Sequence, residues 1–155
     1  MRPVLVTAAL FLATTGGLLA QEHTAGHAMK ADQLKWMPGP PVLPKGAEFA
    51  VLSGDPGKPG PFTMRLKVPA GYKIPAHSHP TAERVTVISG NFHVGMGDKL
   101  DEAKTDSLET GGFVDLPANM NHYAFMSTGT IVQINSEGPF VIKYVNPADD
   151  PSKAQ

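Results

Sequence analysis

Two histidines two residues apart, with a glutamate four residues further on, stand at His77, His79 and Glu83 inside the run GYKIPAHSHPTAERVTVISG that spans Gly71 to Gly90. Imidazole nitrogen and carboxylate oxygen are the donors that hold a divalent transition metal when no thiolate is at hand. The chain has no cysteine, so any metal it binds is held by nitrogen and oxygen. In an extended strand, side chains two apart point to the same face. His77 and His79 then present two imidazoles side by side, with Glu83 near enough to join them. An isolated His-x-His is more often a surface or core pair, so the reading needs further donors from elsewhere in the chain.

The elements around this run read as short strands. Phe62, Met64, Leu66 and Val68 alternate with Thr63, Arg65 and Lys67, the period of a strand with one buried face. Strands are also expected over 48–53, across His77, and over 85–89, 92–96, 113–116, 122–126, 130–136 and 140–145. Gly90-Asn91 is a tight turn between two of them. Residues 54–60 form a loop, 97–110 a polar stretch with a short helical turn, and 31–36 one helical turn. The 16 glycines and 15 prolines put turns at short intervals and argue against long helices. Nine short strands with such turns predict an all-β domain, a sandwich or barrel, best fitted by a jelly roll.

The chain of 155 residues suits one domain, and 41% hydrophobic residues suffice for a core. Net charge is −1, with no basic stripe, which argues against nucleic-acid binding. Arg2 followed by the apolar stretch Val4 to Ala13 has signal-peptide form and is too short to span a bilayer. Cleavage near Ala20 is the expectation. The mature protein would then be secreted or periplasmic, with no stable membrane anchor. The organisation read from sequence is a signal peptide over 1–20, an N-terminal arm over 21–45, the barrel over 46–147 and a tail over 148–155. Trp36 is read as the arm's anchor on the barrel.

A second segment, GGFVDLPANMNH from Gly111 to His122, supplies the missing donor. Together the two segments resemble the paired motifs of the cupin superfamily. The first family motif is Gly, five residues, His-x-His, three or four residues, Glu, six residues, Gly. It is matched at Gly71, His77, His79, Glu83 and Gly90. The second is Gly, five residues, Pro-x-Gly, two residues, His, three residues, Asn. It is matched at Gly111, Pro117 and His122. Asn119 replaces the family's glycine, and asparagine is the side chain that best tolerates left-handed backbone. Met126 replaces the family's asparagine. The resemblance implies a cupin-type jelly-roll barrel over about residues 46–146. It also implies one divalent metal (Fe, Mn, Ni, Co, Cu or Zn) on His77, His79, Glu83 and His122, with two coordination positions left open. For some dioxygenases of the superfamily the resemblance further implies that this glutamate loosens to take a proton, which makes Glu83 the candidate catalytic group.

Other residues are weighed against plainer roles. Met126 shares the face of His122 and is expected to line the pocket. Met64 is a further lining candidate. His93 either lines the pocket as a proton shuttle or faces solvent between Phe92 and Val94. Met64, Met96 and Met126 are otherwise ordinary core fillers. Tyr123 and Phe125 belong to packing, and Arg84 to the surface. His23 and His27 are tail histidines, although a mature amino terminus at Gln21 would put His23 in position for a square-planar Cu(II) or Ni(II) site.

Two classes of function follow. One is a metal-dependent enzyme, dioxygenase-like or isomerase-like, acting on a small, partly apolar substrate that chelates the ion. The other is a non-catalytic module that binds a small molecule or a metal. No nucleophile stands beside a base, which argues against acyl transfer. Barrels of this type often pair, so a homodimer using residues 30 to 45 as an arm is an expectation.

Overall fold

The computed structural model describes Gly26 and residues 28–153. The expected signal segment, its cleavage point, His23 and His27 lie outside the described residues. Eleven strands follow one another: β1 (Met37–Pro38), β2 (Glu48–Ser53), β3 (Gly60–Val68), β4 (Tyr72–Ser78), β5 (Glu83–Ser89), β6 (Asn91–Met96), β7 (Asp106–Glu109), β8 (Phe113–Leu116), β9 (His122–Met126), β10 (Thr130–Gly138) and β11 (Lys143–Tyr144). The helices among the described residues are single 3-10 turns, and none is long and apolar enough to cross a membrane.

The strands form two antiparallel sheets that face each other without closing. The six-stranded sheet runs β1-β2-β3-β10-β5-β8 and the five-stranded sheet β11-β4-β9-β6-β7. The alternating sequence dictates the faces. On β3, Phe62, Leu66 and Val68 are buried, while Thr63, Arg65 and Lys67 point outward and stay partly exposed. On β10, which pairs with β3 over its whole length, Thr130, Val132, Ile134 and Ser136 are the buried set. Val85, Val87, Phe92, Val94, Leu116 and Met126 complete one core between the sheets. Each such side chain contributes roughly 1.5–3 kcal/mol on leaving water.

Several expectations are corrected. The strand read over 140–145 is regular only at Lys143–Tyr144, because Pro139 to Ile142 leaves the sheet and crosses toward the histidines. The polar stretch 97–110 holds its helical turn, at Glu102–Lys104, but also the extra strand β7. The helical turn expected over 31–36 is a 3-10 turn at Ala31–Gln33. Residues 37–44 are part of the body, since β1 pairs with β2 and Leu43 packs on the core. Trp36 lies 4.5 Å beneath the Lys67 ammonium, which fastens it to β3. Met96 is not a core filler: it sits at the end of β6 and is 48% exposed.

Candidate metal centre

The pairing of β4 with β9 sets His77 opposite His122, after a bulge between Ile74 and His77. His79 is the first residue beyond β4. The chain then crosses to the other sheet, where Glu83 opens β5. The five-stranded side thus contributes three imidazoles and the six-stranded side contributes the carboxylate. All four are buried. The turn before His122 depends on Asn119, whose φ of 62° is the left-handed angle foreseen for it. Its N–H donates to the His79 carbonyl at 2.7 Å, which ties the two motifs together.

Each imidazole meets a main-chain carbonyl through Nδ1. Nδ1 of His77 meets Pro75 O at 2.7 Å, Nδ1 of His79 meets Val141 O at 2.9 Å, and Nδ1 of His122 meets Met120 O at 3.0 Å. A carbonyl oxygen only accepts, so each Nδ1 carries a proton and donates it. In a neutral ring Nε2 is then left with a lone pair. Burial, with His122 and His79 adding to it, pushes His77 down to about 3, so this ring is neutral. Nε2 of His79 is buried without a hydrogen-bond partner. Glu83 Oε2 lies 3.4 Å from Nε2 of both His79 and His122. Burial, the largest single influence on the Glu83 carboxyl, pushes it up. Its contacts with His122 and His79 together outweigh that and hold it below the usual carboxylate range.

Those contacts favour the carboxylate only where positive charge, a proton or a metal ion, lies between Glu83 and the two Nε2 atoms; with neutral rings the lone pairs face the anion. Donor atoms about 2.1 Å from one ion stand roughly 3–4 Å apart, and the ligand atoms of the three histidines lie within 4.8 Å of one another. The residues fit a metal ion. Glu83 stands close enough to two of these nitrogens to share it.

Proton uptake at His77 gives the metal-free protein a pH dependence of definite sign. The unfolded chain takes up this proton near pH 6.5, the folded one only near 3. Above pH 6.5 the group has no effect on stability. As pH falls from 6.5 toward 3, stability is lost, by roughly 5 kcal/mol over the window. Glu83, held low, adds a loss in the same direction below about pH 4.5. Urea unfolding of EDTA-treated protein should therefore show midpoints that fall on acidification, with a shallower fall for His77→Phe. An equal slope in that variant would put the acid sensitivity elsewhere.

A cavity of about 260 Å3 opens onto His77, His79 and Glu83. Its walls are apolar: Leu43, Phe49, Leu66, Ile74, Ile134 and Ile142 contribute, with Met64 and Phe140. Among the described residues no lysine or arginine lines the cavity. Part of the wall is the stretch from Pro40 to Leu43, which two tyrosines hold down. Tyr72 donates its hydroxyl to Pro44 O at 2.6 Å, and Tyr144 donates to Val42 O at 2.8 Å. Burial pushes both hydroxyls up, Tyr144 to about 12, so they remain donors. A larger polar depression of about 450 Å3 runs past Thr63, Arg84 and Asn135 and touches none of the four donors.

The structure brings His77, His79, Glu83 and His122 together, and Met64 lines the cavity. It does not bring in the other two pocket candidates. Met126 is fully buried at the far end of β9, opposite Tyr72, and lies in the core rather than on the cavity wall. His93 faces outward from β6, with its ring stacked 4.2 Å from Phe125. Phe92 and Val94 take the inward positions on that strand, so strand alternation excludes His93. Tyr123 is packed as expected, and its hydroxyl donates to Lys104 O at 3.2 Å. Arg84 is half exposed, 3.7 Å from Asp115. Phe140, Val141 O and the tyrosine clasp were not foreseen. Main-chain carbonyl contacts leave no mark in residue types, and the run from Phe140 to Val145 reads as an ordinary strand.

Comparisons with known proteins agree with this geometry. No curated protein matches the sequence. Among solved structures, the polyketide cyclase RemF from Streptomyces resistomycificus superimposes with a TM-score of 0.65 at 15% identity, covering 83% of this chain and 91% of that one. A candidate acetylacetone dioxygenase from Methylibium petroleiphilum PM1 gives a TM-score of 0.62 at 21% identity, covering 86% and 90%. A chain of the Rhodobacter sphaeroides SigE complex with the anti-sigma ChrR gives 0.52 at 18% identity, covering 69% and 51%. At these identities the likeness is one of fold. The family model described as the ChrR cupin-like domain matches residues 24–140. With both motifs, the two facing sheets and the histidine cluster in place, the chain belongs to the ChrR cupin-like family of the cupin superfamily.

Proposed function

We propose that the protein is an exported, metal-dependent enzyme, dioxygenase-like or isomerase-like, that acts on a small, partly apolar substrate. The observation that carries the reading is that His77, His79 and Glu83 line an otherwise apolar cavity to which no other charged side chain among the described residues contributes. His77, His79, His122 and Glu83 would hold one divalent transition metal (Fe, Mn, Ni, Co, Cu or Zn). Such an ion supplies Lewis acidity and, for the redox-active members, electron transfer.

The chain's own residues do the rest. The apolar walls exclude water and favour a neutral ligand over a sugar or a phosphate. A neutral ligand of enol or dicarbonyl type, with oxygens at one end and an apolar body, suits such a cavity. The names of two structural neighbours, a polyketide cyclase and a candidate acetylacetone dioxygenase, point to the same kind of compound. Glu83 is the one carboxylate in reach, and it receives a proton released by the substrate at its Oε atoms. Export is supported by Arg2 and the apolar stretch that follows it.

A second reading has an observation in its favour. Apart from His77, His79 and Glu83, no acid or base among the described residues lines the cavity, as suits a module that captures a small molecule without turnover. Protein prepared from the periplasmic fraction, with its amino terminus read near Gln21, separates the two readings. The metal-loaded protein should consume oxygen or convert an enolisable diketone, and Glu83→Ala should abolish the conversion. Saturable binding without product, or full turnover in Glu83→Ala, would favour the binding module or remove Glu83 from the chemistry.

A further inference from the structure

We propose that Pro139 to Ile142 is a positioning strap. A ligand that fills the apolar cavity presses on the strap, and the strap resets His79 against a bound metal. The inference rests on reading the four donors as a metal site, and adds a link between that site and the cavity.

The three imidazoles are not held alike. His77 and His122 donate to carbonyls two residues back on their own segments. Their places follow from the pairing of β4 with β9. His79 lies beyond the end of β4, and its ring is held from a segment 62 residues away, by Val141 O. The same segment covers its face: the Phe140 ring is stacked on the His79 ring at 4.2 Å, with 9° between the planes. Phe140 in turn meets Phe62 edge-on at 5.2 Å, and its N–H donates to Pro56 O at 2.8 Å.

Along the strap the side chains divide. Phe140 and Ile142 face the cavity, while Val141 is 44% exposed and offers its carbonyl to His79. Two residues that a ligand touches therefore flank the atom that orients an imidazole. No ligand can press on Phe140 or Ile142 without acting on both contacts that fix His79. Groups that orient a metal-binding histidine change metal affinity by about 10–100-fold when removed.

Cobalt(II) tests the proposal, because its visible spectrum reports the ligand set directly. Phe140→Leu keeps an apolar side chain but removes the stacked ring. It should bind Co(II) about 10-fold more weakly and shift the visible bands, with thermal stability near that of the parent. Phe140→Tyr keeps the ring and should restore both. A second measurement needs no variant. Acetohydroxamate and octanohydroxamate present the same chelating group to the Co(II) protein, but only the second fills the cavity. The two spectra should differ in the parent protein and converge in Phe140→Leu. Parent-like affinity and bands in Phe140→Leu, or identical hydroxamate spectra in the parent protein, would overturn the strap. A parent protein that takes up no Co(II) would overturn the metal reading as well, which separates the two failures.

Discussion

His122→Ala is expected to lower transition-metal affinity by at least about 100-fold, since loss of a mere orienting partner already costs 10–100-fold. His122 is the one donor supplied by the second motif, and nothing else on β9 can replace it. Its inward neighbours on that strand, Ala124 and Met126, are core residues. A metal present well above its dissociation constant stabilises the folded state in proportion to the logarithm of affinity. A 100-fold loss removes about 2.7 kcal/mol of that stabilisation, or about 5–10 °C of melting temperature for a chain of this size. The measurement is a pair of melting curves, with and without Zn(II) or Co(II), for parent and variant. The parent should gain stability on metal addition and the variant should gain little. An equal gain in both would mean that the metal sits elsewhere. The metal-free curves act as the control: they measure what loss of the buried His122 ring costs the apo fold, so that only the gain on metal addition is compared.

Gly90→Ala should be among the most destabilising single changes outside the four clustered donors, at about 3 kcal/mol or more and a fall in melting temperature of about 10 °C. Two costs add. The backbone at Gly90 has a φ of 81°, which side chains rarely adopt. A methyl group placed there would also come 2.5 Å from Gly129 O and 2.9 Å from the Thr130 Cα, both fixed backbone. Those atoms lie just before and at the start of β10, a strand paired on both sides within the larger sheet, and cannot retreat cheaply. Gly71, the opening glycine of the same motif, isolates the two costs. Its φ is 77°, but open space surrounds the position where a methyl would go. Gly71→Ala should cost only the backbone term, about 1 kcal/mol. Comparable losses at Gly71 and Gly90 would show that the β10 contact is not rigid.

How much of this was legible in the sequence depends on what each feature is made of. Several strands were legible because burial on one face leaves a period of two, as at Phe62 to Val68 and Val85 to Ser89. The four donors were legible because their spacing matches a known pair of motifs. Asn119 was legible as a turn because few side chains accept its backbone angle. The pocket wall was not. Alternation places Met126 and His122 on one face, but says nothing of the four-residue distance along β9, which carries Met126 out of reach of the cavity. The actual wall comes from 40–43, 49, 64–74 and 134–142, brought together by tertiary contacts such as the Tyr72 and Tyr144 hydroxyls on main-chain oxygens. His93 was undecidable by type alone and was settled by its buried neighbours. β1 and β7 were missed because strands of two and four residues leave too short a pattern to separate from loop.

The two tyrosine hydroxyls that hold residues 42 and 44 have a consequence for how such a protein could diversify. The donors of the metal centre sit on or beside paired strands, where a change disturbs the whole sheet. Val42 and Leu43 sit on a stretch fastened from outside by main-chain bonds that any side chain would still allow. Selection can therefore rewrite that side of the cavity, residue by residue, at little risk to the four clustered donors. The wall over 40–44 is inherited separately from the imidazoles and carboxylate beneath it.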